Sequence, residues 1–197
     1  MNKPFSQACE NNKDPILSVL KRVLINPCEI LEIGSGTGQH AVYFAEHLPH
    51  VTWQPSDQTI HLPGIKSWLD ETSLKNIKTP LALDINQQPW PVTNVEAVFT
   101  ANTLHIMSWE SVQMFIASLG EVMRTDAIFC SYGPFNVGGI YTSESNARFD
   151  LWLKEQDALS AIRDLEAIIS LANDAGIKLL EDIEMPANNK FLIWQKT

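Results

Sequence analysis

Three of the nine glycines in this chain fall within five consecutive positions, Gly34, Gly36 and Gly38, in the run Glu32-Ile33-Gly34-Ser35-Gly36-Thr37-Gly38. Ile30, Leu31 and Ile33 before them form a compact apolar run that reads as a buried strand. Ala41, Phe44, Ala45 and Leu48 after them recur as one face of a helix. Between a strand and a helix, glycines permit positive φ and let a ligand touch the backbone, while the helix start offers unpaired N–H donors. A tight turn alone would need one glycine, so three point to a bound ligand. The dinucleotide fingerprint places its third glycine one residue later, where this chain has Gln39, which weakens a nicotinamide reading. No Gly-Lys-Ser/Thr follows, so the turn is no P-loop, and it lacks the spacing of a hydrolase elbow.

The rest of the chain alternates in the same way. Asp14 and Pro15 read as the cap and first turn of a short helix carrying Ile16, Val19, Leu20 and Val23. Strands are expected at Val51 to Ser56, Leu81 to Ile85, Val95 to Ala101 and Ala127 to Tyr132. Leu62, Ile65 and Trp68 to Leu69 predict a helix with Pro63 in its first turn. Val112, Phe115, Ile116, Leu119 and Val122 to Met123 predict another, capped by Ser108. Gly133 to Arg163 breaks the rhythm and reads as an insertion with a short helix carrying Phe149, Trp152 and Leu153. Asp164 then caps a helix that Gly176 stops, and Ile177 to Ile183 and Lys190 to Gln195 pair as a hairpin. The expectation is an α/β, Rossmann-like, doubly wound and mostly parallel seven-stranded sheet with a C-terminal antiparallel hairpin strand. It forms one domain over residues 1–197.

Charge and cysteine content exclude several partners. Acidic residues outnumber basic ones 23 to 14, a net charge of −9, which offers little to nucleic acid. Ten acidic and four basic residues lie between Tyr141 and Met185, either a solvated acidic face or an acidic rim to an entrance. No signal peptide or membrane span is evident near the start, and three scattered cysteines form no disulfide framework, so a cytoplasmic protein is expected. The five histidines have no recognised ligand spacing, and no metal is assigned. The six tryptophans read as packing residues.

An acidic residue followed by G-x-G-x-G resembles the first motif of class I S-adenosylmethionine-dependent methyltransferases. Asp57, closing Trp53-Gln54-Pro55-Ser56, matches the carboxylate that holds the ribose hydroxyls in that family. Asp84, closing Leu81-Ala82-Leu83, matches the third-strand acid near the adenine amine. The resemblance implies S-adenosylmethionine as cofactor, with Glu32, Gly34, Ser35, Gly36, Gly38, Asp57, Asp84 and Asn102 as its binding residues. Over its whole length the chain is similar to an uncharacterised group of methyltransferase-like proteins of bacteria and animals. It shares with them Ala8-Cys9-Glu10-Asn11-Asn12, Ser35-Gly36-Thr37-Gly38-Gln39-His40, Tyr132-Gly133-Pro134-Phe135, Arg163-Asp164 and Met185-Pro186-Ala187-Asn188-Asn189. Neither resemblance names an acceptor.

Methyl transfer needs alignment in a dry pocket, and a base helps when the acceptor is a hydroxyl or a protonated amine. His105 and Tyr132 are the candidates for that role. His105 as a plain loop residue and Tyr132 as a core-edge residue are the alternatives. Ala101-Asn102-Thr103-Leu104 departs from the Asn/Asp-Pro-Pro-Tyr/Phe signature of nucleobase- and amide-directed members, which favours a small-molecule acceptor. Residues 133–163 would supply part of its pocket through Phe135, Asn136, Tyr141, Asn146 and Arg163. Arg163 either clamps an acceptor carboxylate or pairs with Asp164 or Glu166. A binding or regulatory module that keeps the cofactor pocket without catalysis is the competing function. The sequence leaves oligomeric state open.

Overall fold

The strands of a computed structural model, which describes residues 3–197, fall in the order β3-β2-β1-β4-β5-β9-β8 in one seven-stranded sheet. These are β1 (Cys28–Ile33), β2 (Val51–Asp57), β3 (Leu81–Ala82), β4 (Val95–Ala101), β5 (Met123–Gly133), β8 (Ile177–Met185) and β9 (Asn189–Lys196). Strand β9 runs antiparallel to both β5 and β8, so the mostly parallel sheet ends in the expected antiparallel hairpin strand. A separate two-stranded ladder joins β6 (Phe135–Asn136) to β7 (Arg163–Asp164). Six α-helices complete the chain: α1 (Gln7–Val23), α2 (Gln39–His47), α3 (Leu62–Leu69), α4 (Trp109–Val122), α5 (Glu144–Gln156) and α6 (Leu165–Asp174).

Two compact units divide the chain. The first takes the described residues up to Asp84 together with Val95–Thr100, and the second takes Ile85–Asn94 with Ala101–Thr197. Residues 1 and 2 of the expected 1–197 span lie outside the described residues.

In the first unit, β1 pairs in parallel with β2 from Cys28 and Val51 to Ile33 and Ser56, and with β4 from Ile30 to Glu32. Its core is aromatic. Phe44 lies 5.4 Å from Trp53 and 5.5 Å from Phe99, all three fully buried, and the His40 ring stacks on Phe44 at 5.0 Å. Each such ring adds about 1 kcal/mol of pair energy to its area burial. Helix α1 starts earlier than Asp14 and Pro15 suggest. Ser6 is its cap, accepting from the Cys9 N–H, and Pro15 lies inside the helix. Proline there removes one backbone bond. The extra turns are held instead by side chains on α2: Gln39 donates to Glu10 at 2.9 Å, His40 meets Asn12 at 2.7 Å, and Tyr43 donates to Asp14. Strand β3 is shorter than the apolar run Leu81 to Ile85. Pairing with β2 stops at Ala82, and only the Leu83 N–H continues it, to the Asp57 carbonyl.

In the second unit, Phe115, Phe129 and Trp194 form a buried chain with ring separations of 5.9 and 6.3 Å. Helix α4 is capped by Ser108 as expected. Gly120 is required where it is, because a Cβ there would stand 2.7 Å from the Ala175 carbonyl oxygen. Among the described residues, no helix is long and apolar enough to cross a membrane.

Asn76 shows how side chains replace regular structure at a helix end. Its amide donates to the carbonyls of Ala45, Leu48 and Val51 at 2.8, 3.3 and 3.0 Å, satisfying groups that α2 leaves open. Asn76→Ala should lower unfolding free energy by about 1–3 kcal/mol in urea titrations, with an unchanged m-value.

Candidate functional site

Two clusters of candidate residues occur, one in each unit. In the first unit, Gly34, Gly36 and Gly38 all carry positive φ, at 76°, 56° and 90°. The turn is fastened from beneath. Glu32 is buried and accepts through one oxygen from the Ser35 hydroxyl at 2.8 Å and the Trp53 indole at 3.0 Å. Ser35 also accepts from the Ser56 N–H, while the Ser56 carbonyl takes the N–H groups of Gly34 and Ser35. Burial pushes the Glu32 carboxyl up to about 7, against the opposing effect of those two bonds.

The three glycines serve different ends. A Cβ on Gly38 would lie 3.0 Å from the Ile65 backbone, so Gly38 is needed for the approach of α3. A Cβ on Gly36 would meet nothing within 4 Å. Its N–H donates to Asp57 at 2.7 Å, and the other Asp57 oxygen takes the Gln58 N–H at 2.7 Å. A carboxylate oxygen has lone pairs for further donors, so Asp57 can still accept from hydroxyls. Asp84 stands two residues beyond β3.

Side chains crowd the start of α2. Thr37 accepts from the Gln39 N–H and donates to the Gln39 side-chain oxygen Oε1, which also takes the Ser6 N–H at 2.5 Å. The Gln39 side chain, at the position that breaks the dinucleotide fingerprint, bonds Ser6, Thr37 and Glu10. The bonds of Gln39 to Ser6 and of Trp53 to Glu32 span 33 and 21 residues and leave no local pattern to read.

In the second unit, the loop after β4 begins with Asn102, whose φ is 59° and whose N–H donates to the Tyr132 carbonyl. Asparagine tolerates that conformation better than most residues. Its next residues are stitched to the end of the insertion through four consecutive carbonyls. Leu104 accepts from Arg163 at 3.2 Å, His105 from the Ala161 N–H at 3.0 Å, Ile106 from the Ser160 hydroxyl at 2.8 Å, and Met107 from Arg163. Of the two readings of Arg163, a clamp on an acceptor carboxylate or a pair with Asp164 or Glu166, the second is not what the bonds show. It is buried, directs Nε and one terminal nitrogen to the carbonyls of Leu104, Met107 and Leu159, and positions the loop.

His105 is buried, and burial followed by the Arg163 charge pulls its imidazole down to about 4. It is neutral at pH 7. Tyr132 is buried, and its carbonyl accepts from the Asn102 N–H.

The insertion residues are placed by an acid that periodicity could not reveal. Asp150, on α5 and almost fully buried, accepts from the Tyr141 hydroxyl at 2.7 Å, Lys154 at 2.6 Å and the Ile162 N–H at 2.7 Å. Burial works against its charged form, yet these bonds outweigh it and hold the carboxyl below its ordinary value. Asn146 bonds Thr142 and the Asn188 carbonyl, tying α5 to the turn between β8 and β9. Phe135 is buried in the β6/β7 ladder. Asn136 donates weakly to the Ile162 carbonyl, and its Oδ1 is the one sealed side-chain atom without a partner among the described residues. Among those residues there is no group of three or more His, Cys, Asp or Glu able to hold a metal.

A family model described as protein of unknown function (DUF938) matches residues 3–196. Solved structures share the fold. An O-methyltransferase family protein from Burkholderia thailandensis superimposes with a TM-score of 0.82 at 13% identity, covering 96% of this chain and 57% of that one. Human N-acetylserotonin methyltransferase in complex with S-adenosylmethionine gives 0.82 at 13%, covering 96% and 53%. The S-adenosylmethionine-dependent methyltransferase SibL, in its apo form, gives 0.80 at 16%, covering 95% and 55%. The chain spans a little over half the length of these proteins. What they establish is the fold, that of the class I S-adenosylmethionine-dependent methyltransferases.

The Glu32 carboxyl supplies a pH test of the turn. Its folded value near 7 exceeds the ordinary 4.5, so the unfolded chain loses the proton first as pH rises. Stability should fall by roughly 1 kcal/mol per pH unit between these values from this group and level off above pH 7. Glu32→Gln keeps an oxygen for Ser35 and Trp53, and should remove that part of the pH dependence in thermal melts from pH 5 to 8.

Proposed function

The chain belongs to the DUF938 family, proteins of unknown function, and we propose that it is an S-adenosylmethionine-dependent methyltransferase acting on a small-molecule acceptor. The observation that carries this is the open space in front of Gly36, beside a carboxylate. Gly38 is needed for packing, and Gly36 for its left-handed φ of 56°. With no neighbour over it, the Gly36 backbone is free for a ligand to lie against.

The donor set suits this cofactor and not a dinucleotide. Glu32 and Asp57 stand at the turn, where acids repel phosphate and accept from hydroxyl and ammonium groups. At the start of α2 the first N–H is already taken by the Thr37 hydroxyl. Asp57 would hold the ribose hydroxyls, Gly34, Ser35, Gly36 and Gly38 would line the cofactor through their backbone, and Asp84 would complete its recognition within the first unit. When bound, the cofactor supplies an electrophilic methyl group on a positively charged sulfur. Glu32 acts through Ser35, fixing the turn before any ligand arrives, so that little ordering remains to oppose binding.

On the acceptor side we assign His105 and Tyr132, with Phe135, Asn136, Tyr141 and Asn146 in the wall that the insertion at 133–163 supplies and Arg163 setting the loop. A neutral His105 can accept a proton from an acceptor hydroxyl. With a net charge of −9 we exclude nucleic acid as the acceptor, and the three free thiols fit a reducing cytoplasm.

Calorimetric titration of dialysed protein with S-adenosylmethionine, S-adenosylhomocysteine and NAD tests the proposal. Micromolar binding of the two sulfur compounds and none of NAD is expected, whereas silence from all three would overturn it. Gly36→Asn, which tolerates the left-handed backbone and fills the open space, should abolish binding with little change in melting temperature. Asp57→Ala should weaken it about tenfold.

A further inference from the structure

Asn102 and His105 have a property that their backbone placement does not require. Among the described residues, neither the Asn102 carboxamide nor the His105 ring has a hydrogen-bond partner, although His105 is only 5% exposed. Burying an imidazole without a partner is costly, and native structures rarely do it without cause. Both groups border one point. A Cβ built on Gly133 would lie 3.6 Å from His105 Nδ1 and 3.9 Å from Asn102 Oδ1. Since Asn136 Oδ1 is the one sealed orphan atom, the unpartnered His105 nitrogens open onto accessible space.

We propose that Asn102 and His105 form a socket beside Gly133 for the hydroxyl of an uncharged aromatic ligand. A hydroxyl is a small group that both donates and accepts, so it can satisfy an amide oxygen and an imidazole nitrogen that both lie near Gly133. A carboxylate would only accept, leaving the Asn102 oxygen unpaired. Arg163, the cation beside His105, directs Nε and one terminal nitrogen to the carbonyls of Leu104, Met107 and Leu159. Lys154 is committed to Asp150. An ammonium would only donate, and the charge nearest to His105 is the like charge of Arg163. The aromatic character follows from Phe149, whose ring meets His105 edge-on at 5.3 Å and stacks on Trp152 at 5.8 Å.

As the acceptor subsite, this socket rests on the methyl-transfer proposal; its binding of a hydroxyl does not. Phenol, benzoate and benzylammonium, each added to the full-length protein without cofactor, separate the possibilities. In NMR spectra of imidazole-labelled protein, phenol should shift the His105 ring resonances saturably, and the two ions should not. His105→Gln and Asn102→Ala should each weaken phenol binding about tenfold, while S-adenosylmethionine titrations of His105→Gln stay within twofold of the parent. Binding of benzoate in place of phenol, a silent His105, or undiminished phenol binding by both variants would overturn the socket. Phenol binding at His105 in a protein that fails to bind S-adenosylmethionine would retain the socket and remove the methyltransferase.

Discussion

A buried acid beneath a turn of left-handed glycines is the constraint from which the first unit is built. The turn needs positive φ at three alternate positions, and such a backbone has few hydrogen bonds of its own. Glu32 compensates by gripping Ser35 and Trp53, and Trp53 is at once the centre of the aromatic core. Ligand-facing backbone and hydrophobic packing therefore share one residue. A change in the core around Trp53 reaches Gly36 through two hydrogen bonds, which is how a fold with a general purpose holds a specific turn in place.

The second unit solves a related problem with different means. Its loop after β4 has no regular ladder, yet four successive carbonyls from Leu104 to Met107 are satisfied by Ser160, Ala161 and Arg163. Asp150 in turn holds that segment through the Ile162 N–H and holds Tyr141 and Lys154 in the same grip. The insertion is thus a splint for the loop as much as a wall. It explains why a buried arginine is tolerated: carbonyl oxygens replace the water it loses.

These two devices were legible to different degrees. The sheet, its antiparallel strand and the bounds of β4 follow from apolar runs and glycine stops, since period and backbone chemistry are local properties. Gly36 and Asp57 stood out for the same reason. The start of α1 did not, because Pro15 is as natural in the first turn of a helix as it is rare inside one, and only the bonds to Gln39 and His40 reveal which applies. Arg163 was visible as a charge, but its partners are carbonyls 56 and 59 residues away, and carbonyls leave no trace in a sequence. The signal that could have helped was weaker: an arginine in a segment whose loop had no strand or helix to satisfy it.

The acidic stretch between Tyr141 and Met185 resolves into separate local causes. Asp150 is buried and neutralised, and Asp164 stands at the start of α6. Glu181, Asp182 and Glu184 lie exposed on β8, which is the outermost strand of the sheet. Lys190 on the neighbouring strand answers two of them, donating to Asp182 and Glu184. A nine-residue edge strand presents unpaired backbone groups that invite a further strand, and like charges along it oppose that pairing. The net negative charge of the chain is in this part a device against edge-to-edge association.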